Sequence, residues 1–374
     1  MRILVVTNMY PSRKYPHYGV FVRNTADILK QSGHDVTICS MGKSENKITK
    51  LFAYMKLYVK SIGLGAFGKY DVVYAHFISH TALPVKIIKH VRPNIKVILN
   101  AHGNDVVGDT VQDQKNVQRS KSVVPYADGV IVPSNYYRDV ICGEFGVPEE
   151  KIKVFPSGGV DAKKFRRLEK EEARKKCSLN KDSFYIGYIS RIEEGKGWDV
   201  FLKATSKLIK NHCVPNLRFL VVGDGAQKND MLAMVDQLEM NSYIDFVPLV
   251  SQEDLVFYYN SLDVFCFSTR RKSESLGLVG LEAMACQVPC VISSVPGTLS
   301  YAINEKNCLT FNPEDDEELV NKILKIMKMD DKQKSDMLNH QKETVKKFEK
   351  DSVKSQFILD FCGFLKDKTY NGFK

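Results

Sequence analysis

Two carboxylates stand in an otherwise small or apolar run, "ESLGLVGLEAM" (274–284), with seven residues between Glu274 and Glu282. A charged side chain is costly to bury without a partner, so each of the two must have something to bind. If the run between them is near-helical, eight steps give roughly 12 Å of rise and an angular offset of about 80°, and both acids can face one cleft. That separation is wider than the about 5–10 Å expected of two carboxylates that hydrolyse a glycoside. It suits a longer ligand with hydroxyls at both ends.

A sugar nucleotide has that form, with a hexose and a ribose on opposite sides of a diphosphate. Glu274, in a loop, would hold the sugar ring, and Glu282, in the following helix, the ribose. Between them the backbone N–H groups of Ser275, Leu276, Gly277 and Leu278 would face the diphosphate at a helix N-terminus. Gly277 lets the backbone come close. Two cations lie in "YISRIEEGKGW", in the turn after a strand-like run. The planar fork of Arg191 and the point charge of Lys196 both suit phosphate; ordinary surface cations are the alternative.

Other motifs are weaker. In "NAHGNDV", His102, Gly103 and Asp105 sit where a strand opens into a loop, a place for a polyol or for a structural histidine. Gly19 precedes a helix-like segment after the first strand, where its backbone can approach an anion or simply form a turn. His76 and His80 form HxxxH without the glutamate of a zinc helix, and no DxD occurs, so no metal is assigned. "GLGAFGKY" (63–70) spells GxGxxG but precedes a strand instead of following one, and reads as a helix-ending turn. "VVGDGAQ" reads as an architectural turn into a helix.

Elements must position these residues. The first half offers the strand-like runs "RILVVT", "DVTICS", "DVVYAH", "KVILNAHG", "DGVIVPS" and "IKVFPSGG". The second half offers "FYIGYIS", "LRFLVVGDG", "IDFVPL", "DVFCFS", "VPCVISS" and "NCLTFN". Continuous apolar runs bounded by turn residues predict strands buried on both faces of parallel sheets. Their alternation with helical segments predicts two doubly wound α/β units, separated by the charged segment 161–183. The tail from roughly 314 to 366 reads as helices. In the segment 46–62, Ile48, Leu51, Phe52, Met55, Tyr58, Val59 and Ile62 share one helical stripe. Lys50, Lys56 and Lys60 lie across from it, with Leu57 interrupting their face. Either the stripe packs on its own sheet and the lysines face water, or the helix lies on a membrane surface.

The 374 residues suit two domains, and 44% hydrophobic and 26% charged residues fit a globular chain. No apolar run is long enough to span a bilayer, and the four-residue apolar block near the N-terminus is too short for a signal-peptide core. Nine cysteines without a CxxC argue against a disulfide framework and favour a reducing cytoplasm. The net charge of +10 is uneven: residues 1–100 hold 15 Lys and Arg against 4 Asp and Glu, a net +11. An anionic partner for that part is expected, a membrane surface among the choices.

Taken together, these motifs resemble those of retaining glycosyltransferases of family 4, which have the GT-B fold. The stretch 274–292 is similar to the family's E-x7-E region and "SRIEEGKG" to its (G/S)R-x-x-x-x-KG element. "FPSGGVDAKKF" (155–165) resembles its PNGVD junction, "GDGA" its GDGP, and "MYPSRKYPHYGVFV" the first loop of its polysaccharide-assembly members. Ser275 and Leu276 depart from the common Gly and Phe. The resemblance implies two facing Rossmann-like domains with a deep cleft between them: 1–162 on the acceptor side, 163–350 binding the sugar nucleotide, and 351–374 a C-terminal helix crossing back to the first. It implies hexosyl transfer with retention and no metal or other cofactor, from a UDP-sugar or, second, a GDP-sugar. The acceptor hydroxyl would belong to a lipid-linked saccharide in capsule or lipopolysaccharide assembly, at the inner face of the cell membrane. By the same resemblance His102 would bind the transferred sugar near its 6-position, and Gly19 would approach the diphosphate. A sugar-nucleotide epimerase would want a dinucleotide fingerprint after the first strand, and this chain lacks it. A non-catalytic sugar-binding protein would need export. Nucleic-acid binding has no recognisable module here.

Overall fold

The computed structural model describes residues 1–15, 18–44, 46–212 and 214–365. Pro16 and His17 of the first-loop motif, Cys213, and the end of the 351–374 segment from residue 366 lie outside the described residues. The chain divides into two compact units, Met1–Gly159 with Asp351–Lys374, and Val160–Lys350.

In chain order the first unit contains β1 (Arg2–Thr7), α1 (Val20–Gln31), β2 (Asp35–Ser40), α2 (Lys47–Phe67), β3 (Val72–His76), α3 (Ile78–Val91), β4 (Lys96–Asn100), α4 (Val111–Lys121), β5 (Gly129–Val132), α5 (Asn135–Phe145) and β6 (Ile152–Val154). The second contains α6 (Lys170–Lys176), β7 (Phe184–Ile189), α7 (Trp198–His212), β8 (Leu217–Val222), α8 (Lys228–Gln237), β9 (Ile244–Val247), α9 (Gln252–Asn260), β10 (Val264–Phe267), α10 (Leu278–Ala285), β11 (Cys290–Ser293), β12 (Leu309–Phe311), α11 (Asp316–Met327) and α12 (Asp331–Lys347). A last helix, α13 (Lys350–Gly363), returns to the first unit. Each strand-like run of the sequence forms one of these twelve strands.

Both sheets are six-stranded and wholly parallel, in the orders β2-β1-β3-β4-β5-β6 and β12-β11-β10-β7-β8-β9. The period of two sorts the strand residues between faces. Leu4, Val6 and Val73 pack with α2 and α3, while Ile3, Val5 and Tyr74 pack with α1 and with Phe357 and Phe361 of α13. In the second unit Ile186, Tyr188 and Phe219 meet α7 and α11, and Leu220, Phe265 and Phe267 meet the α10 side. The strand order turns back between β1 and β3 in one sheet and between β7 and β10 in the other. Loops at the carboxyl ends of strands flanking such a switch are where doubly wound sheets bind ligands.

One helix departs from the first of its two sequence readings. Five of the seven residues of the apolar stripe of α2, Ile48, Leu51, Phe52, Met55 and Val59, are exposed, while Tyr58 at its edge packs on the core. The opposite face is buried instead, through Leu57, Ser61 and Gly65, with Ala53, Tyr54, Tyr58 and Leu64 packed beside them. The reason is closeness. A Cβ at Gly65 would lie 2.5 Å from Ile88 of α3, so small residues let the two helices meet where bulky ones would hold them apart. The helix therefore runs through Gly63 and Gly65 and is capped only at Gly68.

Candidate functional site

In the second unit, the loops after β7 and β10 flank the switch point and meet. Tyr188, the penultimate residue of β7 and buried, donates its hydroxyl to the carbonyls of Arg191 (3.2 Å) and Lys196 (3.1 Å), bracing both ends of the "RIEEGK" turn. Arg270 N–H donates to Gly195 O (2.7 Å) and Ser268 Oγ to Gly197 O (2.8 Å), seating that turn on the end of β10. The "GDG" turn braces its other side: Ile192 N–H donates to Asp224 O at 2.9 Å and Gln227 N–H to Ile192 O at 3.0 Å.

The turn delivers its two cations differently. Lys196 is only 7% exposed, and its Nζ lies 2.6 Å from Glu274 Oε2. Thr269 Oγ1 donates to the same oxygen at 3.2 Å. Glu274 Oε1 carries no partner among the described residues. Burial pulls the Glu274 carboxyl upward, but the Lys196 ammonium, the Thr269 hydroxyl and the charge of Arg271 outweigh it and hold it below its ordinary value. Arg191 is exposed and pairs with Glu193 at 3.0 Å.

The run from Glu274 to Gly277 is not helical; α10 begins at Leu278. The premise of a near-helical rise between the two glutamates is thereby corrected. The physical reason is Gly277, the N-cap, whose φ of 78° breaks the helix there, and where a Cβ would meet the Phe267 ring at 2.4 Å. No side chain caps α10, and the N–H groups of Ser275, Leu276, Gly277 and Leu278 have no acceptor among the described residues. Four successive donors without an acceptor at a helix start, beside a buried ammonium, have the chemistry to hold an anion.

Glu282 lies one turn into α10, 8% exposed, and accepts the Tyr259 hydroxyl at 2.9 Å on Oε2. Burial raises its carboxyl to about 7, against the smaller pull of Tyr259 and Lys164.

In the first unit, Gly19 is the left-handed N-cap of α1 (φ 76°), and a Cβ would sit 2.7 Å from the Met9 carbonyl carbon. His102, half-buried after β4, meets His76 through Nε2···Nδ1 at 3.0 Å and packs against the rings of Phe21 and Phe77, which also touch each other. Burial lowers both imidazoles, His102 to about 3, so the pair is neutral and one ring donates to the other. Asp105 does not face a ligand: its oxygens accept the N–H groups of His102 (2.9 Å), Gly103 (3.0 Å) and Ile78 (2.9 Å). It is a loop brace, which burial also pushes up to about 6. His80 pairs with the Tyr54 hydroxyl at 2.9 Å.

Sequence reasoning missed Tyr188, Thr269 and Tyr259 as parts of the site. Tyr188 and Tyr259 look like core aromatics, and only Thr269, two residues past the end of a strand, carried a positional signal.

Residues 19–163 match the family described as Glycosyltransferase Family 4, and residues 169–347 match Glycosyl transferases group 1. With this fold, the chain belongs to the GT-B glycosyltransferases of family 4 type. An uncharacterized glycosyltransferase of Methanocaldococcus jannaschii is 24% identical over 84% of this chain and 86% of its own. A D-inositol 3-phosphate glycosyltransferase of a Mycobacterium species is 27% identical over 62% of this chain; the match spans about half (53%) of that relative. Among solved structures, sucrose-phosphate synthase from Thermosynechococcus elongatus aligns with a TM-score of 0.79 at 18% identity, covering 98% of this chain and 99% of its own. The Anabaena protein HepE in complex with UDP aligns with a TM-score of 0.74 at 17% identity, covering 97% and 100%.

Proposed function

We propose that this glycosyltransferase moves a hexose from a nucleoside diphosphate sugar, with UDP favoured over GDP, to a hydroxyl acceptor with retention and without a metal. The observation that carries the reading is the Lys196–Glu274 pair set beside the four free N–H groups that open α10. A structural neighbour in complex with UDP supports the choice of nucleotide. Glu274 Oε1 accepts hydroxyls of the transferred sugar, and Glu282 Oε1 accepts those of the ribose. As the bond from the anomeric carbon to the diphosphate breaks, negative charge grows on the leaving group. Lys196, Arg191 and the α10 N-terminus stabilise it there, where preorganised donors act most strongly. The acceptor oxygen bonds to the anomeric carbon on the same face, and its proton passes to the departing diphosphate. No helix of the described residues is long and apolar enough to cross a membrane. The +11 charge of the first hundred residues supports a lipid-linked saccharide acceptor in cell-surface polysaccharide assembly (capsule or lipopolysaccharide), with the enzyme peripheral at the inner membrane face.

The test is turnover in the presence of a panel of sugar nucleotides. Lys196→Ala is expected to cut turnover at least about tenfold, equivalent to ~1.4 kcal/mol. Thermal melting separates this from lost folding, since the variant leaves Glu274 without its counter-charge. Glu282→Ala is expected chiefly to weaken nucleotide binding. Near-normal turnover in the first variant would contradict the phosphate role, and unchanged nucleotide affinity in the second would contradict the ribose role.

A further inference from the structure

The exposed face of α2 has a definite chemistry. Six of the sixteen large hydrophobic side chains left exposed among the described residues lie on this one helix. On a helical projection Ile48 (71% exposed), Phe52 (60%) and Val59 (74%) form the centre of the outward face, with Leu51 and Met55 beside them. The stripe is continuous over three turns, where single exposed hydrophobics would need no explanation. At 100° per residue Lys56 and Lys60 fall on one flank of it and Lys47 on the other, with Lys50 further round near the first turn. None of the four is paired with an acid among the described residues. Between Glu45 and Asp71 the sequence contains no Asp or Glu. Apolar side chains flanked by long cations suit an interface with hydrocarbon below and phosphate above, because lysine stems can cover apolar surface while their ammonium groups stay at headgroup level.

We infer that α2 is a membrane-docking helix, lying in the plane of an anionic lipid surface with Ile48, Phe52 and Val59 inserted and its lysines on the lipid phosphates. Charge selects this occupant. A second copy of the chain would bring another strongly basic first unit against this one, whereas anionic lipid brings the complementary charge. The inference deepens the acceptor-side reading above and rests on it only for which membrane face is met; the helix face itself is independent of the sugar chemistry.

The experiment is flotation of the full chain with vesicles of phosphatidylethanolamine and phosphatidylglycerol (70:30) or of phosphatidylcholine alone, at low and high salt. The chain is expected to float with the anionic vesicles and to lose this in high salt. Phe52→Glu with Val59→Glu is expected to lower the bound fraction at least tenfold. Lys50→Glu with Lys56→Glu and Lys60→Glu is expected to abolish the preference for phosphatidylglycerol. All five positions are exposed, and unchanged melting confirms that the variants fold. No flotation with either vesicle, or flotation indifferent to the Phe52/Val59 variant, overturns the inference. So does a dimer in solution that this variant dissociates and vesicles do not compete away, since a second copy would then cover the stripe. Binding of UDP-glucose, followed by thermal shift in the same samples, reports on the transferase reading separately: vesicle binding can fail with sugar-nucleotide binding intact, and the reverse.

Discussion

Glu274 and Glu282 are both held away from water, yet their surroundings drive them to opposite protonation states. Glu274 has an ammonium at 2.6 Å and stays ionised; Glu282 has only a neutral phenol and rises to about 7. The folded chain thus holds a proton on Glu282 that the unfolded chain releases from the ordinary 4.5 upward. Between about pH 4.5 and 7 this group makes stability fall as pH rises, and the loss is complete above 7. A ribose hydroxyl donates best to the ionised form. Affinity for a UDP-sugar, whose diphosphate does not titrate in this range, is therefore expected to rise roughly tenfold from pH 6 to pH 8, following the ionised fraction. Glu282→Gln should bind with a flat profile, and titration calorimetry at the two pH values checks both. A wild-type profile as flat as the variant's would remove Glu282 from the binding site. The type and position of each glutamate were legible in the sequence, but the Lys196–Glu274 pair was not. Those residues are 78 apart, and only the return of β10 beside β7 brings their loops together.

At the scale of the element, unbroken apolar runs marked all twelve strands, because strands buried on both faces are written so. Apolar periodicity left two readings of α2 open. Periodicity tells that a helix has an apolar stripe; it does not tell which face a neighbouring helix can approach. Here the face with Ser61 and Gly65 goes inward because α3 comes close through Ile88. The two faces should respond in opposite ways to substitution. Gly65→Val forces atoms into Ile88 and is expected to cost about 1–3 kcal/mol in urea unfolding. Val59→Ser removes a larger apolar side chain from a surface position and is expected to change stability by less than about 0.5 kcal/mol. The reverse ranking would mean that the stripe, not the glycine face, seats the helix.

At the scale of the molecule, the chain leaves its first unit after Gly159 and completes it only with α13, nearly two hundred residues later. That helix is not an ornament on the unit. Phe357 and Phe361 are buried against Tyr74, and Phe357 also packs on Phe155, at a sheet face that otherwise has α1 for cover. Removing one such ring costs about 3–5 kcal/mol, a large share of what holds a domain of this size together. A chain ending at Lys350 loses both rings and uncovers Tyr74, while all the packing of the second unit is kept. Calorimetry of that shortened chain is therefore expected to show one transition lowered or lost and the other, assignable to residues 160–350, unchanged. The surviving transition should still shift upward with a UDP-sugar, because Lys196, Glu274 and Glu282 lie in the unit that remains. If instead both transitions fell together, the two units would share one cooperative core, and the division of labour argued from the two sheets would not hold.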